Sequence, residues 1–528
     1  MFACSEQRAR AVWRLFVRPF VLLALSALFP LWEMPSSVQA APHTSSDAVI
    51  TDCASDTQLR NGVQSGGLIT FNCGAGSHTI PMTSYIEVSG AVTIDGGGVI
   101  TLDGADAFAF FQVSSSGALT LRNLSLRRGQ LNGANPLENF GELTLEHVTV
   151  ADHTSTATAG ALVNYGQLVV RNSTFRHNSA GNPGGASGAA ILNDGGSIIV
   201  EHSSFISNTI TSNTGSGGAI SNRAGDLTVV GSAFRGNGAL DGGALFVNSG
   251  AIVTVTHSLF EGNQAGYGGA IESRGQLDVN DSTIRNNRAT IGDGGAIWVL
   301  EGDLDLAYVT ISGNQATTTG GGISCYDNTL SVIHSTLSDN QAGGNGGAIF
   351  STCNLNLTNS TLSGNRAMGG SGGGGVYQAG AGFANVAAVT IAGNTAGFGA
   401  GVYNDGGGGS ALTLQYTLLA NNATGNCDGV ITSFGYNLSS DTNCSALTEA
   451  GDGQNVTLPL DPLANNGGPT LTHLPQPGNP AIDAIPAAQC GFSNDQRGLP
   501  RPVNGQCDIG AVETGNLYPA VWLPLVGK

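Results

Sequence analysis

Short stretches of alternating aliphatic and polar residues run through the middle of the chain. Leu227-Thr228-Val229 and Leu277-Asp278-Val279 place an aliphatic side chain on every second residue, which predicts strands with one buried face. A Gly-Gly-Ala-aliphatic step precedes each stretch, as at Gly217-Gly218-Ala219-Ile220, and a Ser-Thr-Phe-like step follows it. Each unit therefore predicts three short strands, separated by Gly, Asn, Asp and Ser.

An asparagine closes each unit and defines the period of the chain. It lies three residues after an aromatic or aliphatic residue and recurs every 24 to 30 residues, with a mean of 27, at Asn178, Asn208, Asn237, Asn263, Asn287, Asn314, Asn340, Asn365, Asn394 and Asn421. A fixed period in this range is typical of stacked supersecondary units. We interpret this column as structural, because stacked Asn side chains bond to each other and to backbone, and Asn tolerates left-handed geometry.

One unit is too small to bury a core alone, but stacked units can do so. We therefore predict an all-β fold, namely a right-handed parallel β-helix of about twelve coils spaced about 4.8 Å apart, with three short strands per coil. The expected inward column is Leu126, Val150, Phe175, Phe205, Phe234, Phe260, Ile284, Ile311, Leu337, Leu362, Ile391 and Leu418.

The charge of the chain excludes several classes of partner. The 528 residues carry a formal net charge of −18. An acidic surface repels nucleic acid and also repels pectin-like acidic polymers unless calcium bridges them. A phosphate loop at Gly372-Gly373-Gly374-Gly375 is excluded, because no lysine follows it and the single lysine is Lys528. We expect a monomer with no nucleic-acid partner and no cofactor.

Residues 1–40 predict a secretory signal peptide. Four arginines precede an apolar run over residues 20–32, and Val38-Gln39-Ala40 provides a small-x-small cleavage motif. The run is short for a transmembrane span, and no later segment predicts a membrane helix. We therefore expect a mature chain that is secreted or held at a bacterial cell surface.

Eight cysteines remain after the expected cleavage, an even number that fits an oxidising compartment. They allow 105 pairings in principle, but proximity in sequence favours Cys53–Cys73, Cys325–Cys353, Cys427–Cys444 and Cys490–Cys507. Zinc ligation is disfavoured, because the sequence has no Cys-x-x-Cys pair and no histidine at ligand spacing.

The two ends of the mature chain differ from the repeats. We predict an N-terminal cap and first turns over 41–105, repeats over 106–425, a Pro-rich capping module over 426–513 and a tail over 514–528. The module holds two arginines close in sequence to four acidic residues, which predicts an internal ion-pair network, with a ligand site as the alternative. These residues are Arg497, Arg501, Asp483, Asp495, Asp508 and Glu513.

The recurring Gly-Gly-Ala-Ile and Phe-x-x-Asn pair, over roughly residues 120–425, resembles the repeat of polymorphic outer membrane proteins, within the pectate-lyase-like superfamily. Four later segments resemble the choice-of-anchor Q domain, namely residues 465–470, Gly478-Asn479-Pro480-Ala481-Ile482-Asp483, residues 495–502 and Asp508-Ile509-Gly510-Ala511-Val512-Glu513. Similar modules lie next to varied surface anchors on bacterial β-helix proteins. The resemblance implies a surface location and carries no established catalytic residues.

The best candidates for catalysis are Asp278 and Asp305. They are 27 residues apart in outward positions, so neighbouring coils are expected to place them about 5 Å apart, which suits a retaining glycosidase pair. Close like charges also raise the pKa of one carboxyl. A solvated polar face explains the column equally well, because its other members are Thr228, Thr254, Ser331 and Asn356.

Metal binding has no specific motif in this sequence. Calcium ligation remains an alternative at Asp95-Gly96, Asp241-Gly242 and Asp293-Gly294. Six histidines fall at predicted strand ends, where we expect turn hydrogen bonds rather than metal ligation, namely His147, His153, His177, His202, His257 and His334.

The sequence favours a non-enzymatic, exported scaffold. Its expected role is adhesion, or binding to extracellular glycan or to a host or neighbouring cell surface. We keep a polysaccharide-degrading lyase or glycoside hydrolase with an outer-face acidic site as the alternative. The scaffold is favoured because no acid, base and cation converge in the sequence.

Overall fold

The structure is a computed structural model, and it describes residues 47–130 and 135–515. The predicted signal peptide and most of the predicted tail lie outside the described residues. Strands dominate the rest and stack in parallel as a β-helix, with one strand per coil in a 14-stranded sheet. The predicted right-handed β-helix is therefore confirmed. It has about 14 coils instead of about twelve, because the first coils lack the asparagine marker.

The first sheet has 28 strands and contributes two strands to most coils. Its strands are Ala48–Ile50, Gly67–Phe71, His78–Pro81, Ala91–Asp103, Ala118–Arg127, Glu142–Ala151, Gln167–Arg171, Thr174–Arg176, Ser197–Glu201, Ser204–Ile206, Asp226–Val230, Ala233–Arg235, Ile252–Thr256, Leu259–Glu261, Gln276–Asn280, Thr283–Arg285, Leu304–Ala307, Thr310–Ser312, Thr329–Ile333, Thr336–Ser338, Asn354–Thr358, Thr361–Ser363, Phe383–Ala387, Thr390–Ala392, Ala411–Gln415, Leu418–Ala420, Ile431–Ser433 and Leu438–Ser439.

The second sheet has 14 strands, which include those that follow the Gly-Gly-Ala step. They are Ile86–Val88, Phe111–Val113, Leu137–Asn139, Leu162–Asn164, Ile191–Asp194, Ile220–Ala224, Leu245–Val247, Ile271–Ser273, Ile297–Val299, Ile323–Cys325, Ile349–Ser351, Val376–Gln378, Val402–Asn404 and Cys427–Gly429.

A third sheet of short strands adds a fourth element to many coils. Its strands are Thr154–Ser155, Ser179–Ala180, Ala186–Ser187, Thr209–Ile210, Gly215–Ser216, Gly238–Asp241, Gln264–Tyr267, Arg288–Ala289, Gln315–Ala316, Gln341–Ala342 and Arg366–Ala367. The described residues form one α-helix, Thr57–Ser65, and two 3₁₀ turns, Gly407–Gly409 and Ala487–Gln489. Leu59 and Val63 of the α-helix are buried in the main core beside the first coils.

The inward residues of successive coils align in register. Phe175, Phe205, Phe234 and Phe260 are paired across neighbouring strands, and their ring centroids lie 5.1, 4.8 and 4.6 Å apart. Stacked rings of this kind exclude water from the centre of the coil and fix which residue meets which. The alternation seen in the sequence therefore sets both the core and the register.

The asparagine column forms a continuous hydrogen-bonded ladder. The Nδ2 atom of Asn263 donates to Oδ1 of Asn287 at 2.9 Å and to the Phe234 carbonyl at 3.0 Å. The same Oδ1 accepts the Asn263 backbone N–H at 2.9 Å. A parallel serine ladder, which the sequence analysis missed, links Ser232, Ser258 and Ser282 through N–H to Oγ bonds. Both ladders satisfy backbone groups at bends where strand pairing stops.

The coil that contains Ala411–Gln415 and Leu418–Ala420 corrects two predicted positions. Ile391 pairs with Leu419, not with Leu418, and Asn394 donates to Asn422, not to Asn421. Both Leu418-x-x-Asn421 and Leu419-x-x-Asn422 fit the repeat, and the strand pairing selects the second. Asn421 instead takes the left-handed turn position, with φ of 56°.

The described residues after Leu438–Ser439, here called the C-terminal segment, lie along the flank of the β-helix. Its strands Ile485–Pro486 and Gln506–Cys507 are antiparallel, and the rest is mostly irregular. The Gln496 amide bonds to Thr336 Oγ1 and Thr361 Oγ1, two coils of the first sheet. Leu418 packs in a second apolar cluster with Ile485 and Ile509. An outward leucine is therefore covered by a segment that is distant in sequence.

The structure contains four disulfides, which join the cysteines that are nearest in sequence. Cys53–Cys73, Cys325–Cys353, Cys427–Cys444 and Cys490–Cys507 have Cα–Cα distances of 4.8 to 5.9 Å. Cys325 lies on the second sheet and Cys353 lies one coil later, so their bridge ties adjacent coils.

Candidate functional site

An aromatic ladder covers the outer face of the second sheet. On each strand the aliphatic residue points inward and the next residue points outward, because side chains alternate. The outward residues of the later coils include Trp298, Phe350, Tyr377 and Tyr403, all half-buried. Rings from a neighbouring strand and loops join them, and we define the aromatic ladder as Tyr267, Trp298, Tyr326, Phe350, Tyr377, Tyr403 and Phe398.

The rings of this ladder follow one another along the stacking direction of the coils. Consecutive centroid distances are 4.8, 6.5, 5.7, 5.5 and 4.8 Å from Tyr267 to Tyr403, and Phe398 lies 4.8 Å from Tyr403. The contacts include stacked, tilted and edge-to-face arrangements, of which aromatic quadrupoles favour the offset-stacked and edge-to-face forms. The result is a long, half-exposed aromatic stripe on one face of the protein.

A buried carboxyl lies at one end of the ladder. Glu272 is the outward residue on the coil before Trp298, and it is fully buried. Arg274 Nη2 lies 2.8 Å from Glu272 Oε1, and the Arg274 guanidinium stacks over the Phe246 ring at 5.5 Å. Burial and the nearby Asp241 carboxylate raise the pKa of Glu272 to about 7, against the opposing effect of Arg274. Burial also raises the pKa of Asp241.

Two buried polar atoms at this end have no hydrogen-bond partner among the described residues. They are Oε2 of Glu272 and Nε1 of Trp298. Native proteins satisfy the large majority of buried side-chain polar atoms, so an unpaired acceptor and an unpaired donor on paired strands need an explanation. Their position directly beside the ladder makes them candidate ligand contacts.

A tyrosine and an aspartate stabilise the middle of the ladder. The Tyr326 hydroxyl donates to Asp293 Oδ2 at 2.8 Å, and Asp293 Oδ1 accepts the Thr319 backbone N–H at 3.0 Å. Burial is the main reason why the pKa of Tyr326 rises to about 12. The ring is therefore neutral and fixed in orientation at ordinary pH.

The structure pairs the predicted catalytic residues and, within the described residues, gives neither an ion-pair partner. Asp278 and Asp305 are direct partners on neighbouring strands of the first sheet. Burial, followed by repulsion from Asp278, raises the pKa of Asp305. Among the described residues, no salt bridge reaches either carboxylate. This pair also lies on a different sheet from the aromatic ladder.

The predicted metal-binding alternatives find no ligand cluster. Within 47–130 and 135–515, no three His, Cys, Asp or Glu side chains converge as a metal site. Asp95 bonds to Arg122, and Asp293 bonds to Tyr326. Five of the six histidines have left-handed backbone at bends, with φ between 47° and 54°. His153 instead occupies the asparagine-column position, where its backbone N–H donates to Asn178.

The two C-terminal arginines belong to a buried network. Arg497 Nη2 lies 2.7 Å from Asp495 Oδ2, while Arg501 donates to the Asp508 and Gly510 carbonyls. Glu513 accepts the backbone N–H groups of Val503 and Asp508. These contacts fold the segment onto itself and bury the side chains of Arg497, Asp495, Arg501 and Glu513, whereas Asp483 is exposed.

The sequence carries a partial signal for the ladder. The residue after the aliphatic residue of each glycine-rich step points outward. From residue 246 these residues are Phe246, Glu272, Trp298, Ser324, Phe350, Tyr377 and Tyr403. Tyr267, Tyr326 and Phe398 come from other parts of the coil, and no local pattern distinguishes them.

Comparison with known families agrees with the coil geometry. The family described as right handed beta helix region matches residues 109–289. The Chlamydia polymorphic membrane protein repeat matches residues 308–326 and 334–352. The chain is a right-handed β-helix protein with polymorphic membrane protein repeats. These repeats are typical of bacterial surface proteins, and the four disulfides fit an extracellular location.

Other comparisons add little. No curated protein matches the chain. Among solved structures, the catalytic domain of a GH87 alpha-1,3-glucanase in complex with nigerose is 12% identical, with 79% of this chain and 69% of that chain covered and a TM-score of 0.23. A substituted form of the same domain gives 13% identity and a TM-score of 0.22. Scores this low carry no argument about activity. Among the described residues, no helix is long and apolar enough to cross a membrane.

Proposed function

We propose that the chain is an exported, cell-surface β-helix scaffold that acts in adhesion by binding extracellular glycan along its aromatic ladder. The observation that carries this proposal is the ladder itself, seven rings in succession on one face. The C–H face of a sugar ring packs on the electron-rich face of an aromatic ring. Stacked repeats build extended surfaces of this kind for long ligands.

Burial supports a binding role for these rings. Trp298, Phe350, Tyr377 and Tyr403 are neither fully buried nor freely exposed, so their orientation is held while one surface stays available. A large apolar patch with a polar rim marks an interaction site on a soluble protein. Here the rim includes Asp405 and Asp428, whose charges lie beside Tyr377 and Tyr403.

The test is binding of the mature protein to a glycan array and to glycan-coated surfaces. Replacing Phe350 and Tyr377 together with Ala is expected to weaken glycan binding about tenfold or more, which corresponds to about 1.4 kcal/mol. Phe383→Ala is the matched control, since Phe383 is 61% exposed on the first sheet, away from the ladder. Absence of glycan binding by the wild type, or equal losses in both variants, would contradict the proposal.

A second candidate function is hydrolysis of the bound polysaccharide. It is favoured by Glu272 and Asp241, two interacting carboxyls whose pKa values are both raised. Pairs with different protonation states are typical of acid and base partners. Protonated Glu272 would give its proton to the glycosidic oxygen as the C–O bond breaks, and ionised Asp241 would take a proton from the water that adds to the anomeric carbon.

Hydrolysis makes a separate prediction from binding. Reducing ends should accumulate with wild-type protein, and Glu272→Gln should abolish their release while leaving most binding intact. Asp305→Asn is the comparison variant, because it alters the Asp278–Asp305 pair on the first sheet, away from the ladder. If wild-type protein binds a glycan without releasing reducing ends, this second function is rejected and the adhesion proposal stands.

A further inference from the structure

We propose that Glu272 and Trp298 form a hydroxyl-binding subsite for one sugar unit of a neutral, linear polysaccharide that runs along the aromatic ladder. This inference rests on the proposed glycan-binding function and specifies the ligand class. Two independent observations support it, namely the unpaired polar atoms at one end of the ladder and the arrangement of the rings.

The unpaired atoms match the chemistry of sugar hydroxyls. Glu272 Oε2 is a free acceptor, or a donor when protonated, and Trp298 Nε1–H is a donor. Both are buried and have no partner within the described residues. A buried group left without a hydrogen bond costs about 1–3 kcal/mol. A hydroxyl can donate and accept at once, so one ligand group can relieve both costs.

The geometry places both groups where a ligand on the ladder would end. Glu272 and Trp298 are register partners on strands Ile271–Ser273 and Ile297–Val299. The Trp298 ring packs on Tyr267 on one side and meets Tyr326 on the other. A sugar that contacts the exposed edges of these rings therefore lies close to the carboxyl, as binding sites with aromatic walls and few polar groups require.

The side chain of Arg274 explains how the subsite can open. This side chain is 35% exposed, and its guanidinium bonds to Oε1 of Glu272, which leaves Oε2 without a partner among the described residues. Arg274 also lines an open groove with Glu301, Asp303 and Asp327. In the proposed complex, the guanidinium turns toward these carboxylates and the sugar hydroxyl reaches Glu272.

The charges around the ladder select against anionic polymers. Asp241 interacts with Glu272, Asp293 with Tyr326, Asp405 with Tyr377, and Asp428 with Tyr403. Carboxylates along the whole stripe repel uronic acids and sulfated sugars. The ring separations of 4.8 to 6.5 Å follow the spacing of the coils, so a linear chain can contact several rings at once.

The experiment measures affinity for soluble neutral hexose oligomers of increasing length, with matched uronic-acid oligomers in parallel. Trp298→Phe keeps an aromatic ring but removes the N–H donor, and it is expected to weaken binding about three- to tenfold. Glu272→Ala should weaken binding by a similar factor, whereas Glu272→Gln, which keeps the shape, should retain more affinity. Asp241 and Arg274 face the Glu272 carboxyl, whose pKa is about 7. Wild-type affinity should therefore change through neutral pH, whereas the affinity of Glu272→Gln should not.

The outcomes separate this inference from the proposed function. If Phe350→Ala weakens binding while Trp298→Phe and Glu272→Ala bind like the wild type, the subsite is wrong and the ladder remains the binding surface. Preference for uronic-acid oligomers would overturn the neutral ligand class. If the wild type binds no glycan, the proposed function itself fails. Circular dichroism and thermal unfolding check that each variant is folded.

Discussion

At the residue scale, the repeated asparagine stabilises the protein through side-chain hydrogen bonds that recur from coil to coil. Its amide donates to the next asparagine and to a backbone carbonyl, while its oxygen accepts two N–H groups from the preceding coil. Each member therefore joins several coils. The residue that precedes it in the chain has left-handed backbone and an entirely different role.

Substitutions of Asn287 and of its preceding residue Asn286 should therefore differ in their effect on stability. Asn287→Ala leaves the Asn263 N–H and the Phe260 carbonyl without a partner in the core, so we expect the free energy of unfolding to fall by about 1–3 kcal/mol. The control is Asn286→Gly, because Asn286 is an exposed turn residue with φ of 55° and glycine adopts this geometry freely. Urea unfolding gives both values, and equal losses would refute the ladder's role.

Buried His153 makes stability depend on pH. Gly129 N–H donates to its Nδ1 at 2.7 Å, and burial is the main reason why its pKa falls from 6.5 to about 4. The unfolded chain therefore binds a proton that the folded chain does not bind between these values. Stability should be full above pH 6.5 and should fall by about 3 kcal/mol as the pH drops to 4.

The test compares His153→Asn with the wild type by denaturant unfolding at neutral pH and at pH 4. Asparagine belongs to the same column in later coils, so this variant should lose less stability on acidification. His202→Asn is the control, since His202 is exposed at a bend. An unchanged acid sensitivity in His153→Asn would show that other groups cause it.

At the element scale, the glycines of the Gly-Gly-Ala step permit close contact between coils. A Cβ atom on Gly269 would lie 2.1 Å from the Gly295 carbonyl oxygen and 2.6 Å from backbone atoms of Arg288. These atoms belong to backbone that neighbouring coils hold in place. The step is thus a requirement of stacking, and it sets where the second sheet begins.

Gly269→Ala is expected to destabilise the protein by about 1–3 kcal/mol, as overpacking does in a rigid core. Gly90→Ala is the matched control, because nothing lies within 4 Å of its added Cβ. That variant should be neutral or slightly stabilising, since alanine restricts the unfolded chain. Thermal unfolding of both proteins measures the difference, and a neutral Gly269→Ala would contradict the packing argument.

At the scale of the whole molecule, the C-terminal segment shields apolar and hydroxyl groups on the flank of the β-helix. Gln496 is completely buried and bonds to Thr336 and Thr361 of the β-helix and to Thr470 of the segment. A hydrophobic cluster that includes Leu418 and Ile509 completes the contact. The segment is therefore part of the folded core and more than a cover for the last coil.

Gln496→Ala should loosen this segment. Unpaired threonine hydroxyls are expected to cost about 1–3 kcal/mol, and limited proteolysis should cut the C-terminal segment sooner than in the wild type. The control is Gln454→Ala, because the Gln454 amide makes one long contact of 3.4 Å to a carbonyl. Identical digestion of the two variants would argue against docking through Gln496.

The sequence by itself determined the β-helix, because alternation and period are local properties that every coil repeats. The inward phenylalanines, the asparagine column up to Asn394 and the Asp278–Asp305 pairing could all be read from spacing. Spacing misplaced Leu418 and Asn421, because Leu418-Leu419 and Asn421-Asn422 fit the pattern in two registers one residue apart.

Tertiary structure decided the functional face. Tyr267 and Tyr326 reach the ladder from positions without a repeated signature, and Gln496 meets Thr361 across 135 residues of chain. Burial of Glu272 likewise depends on neighbours that its own strand does not contain. Such contacts arise from how turns and loops cross the outer face, and the alternation of aliphatic and polar residues carries no information about those paths.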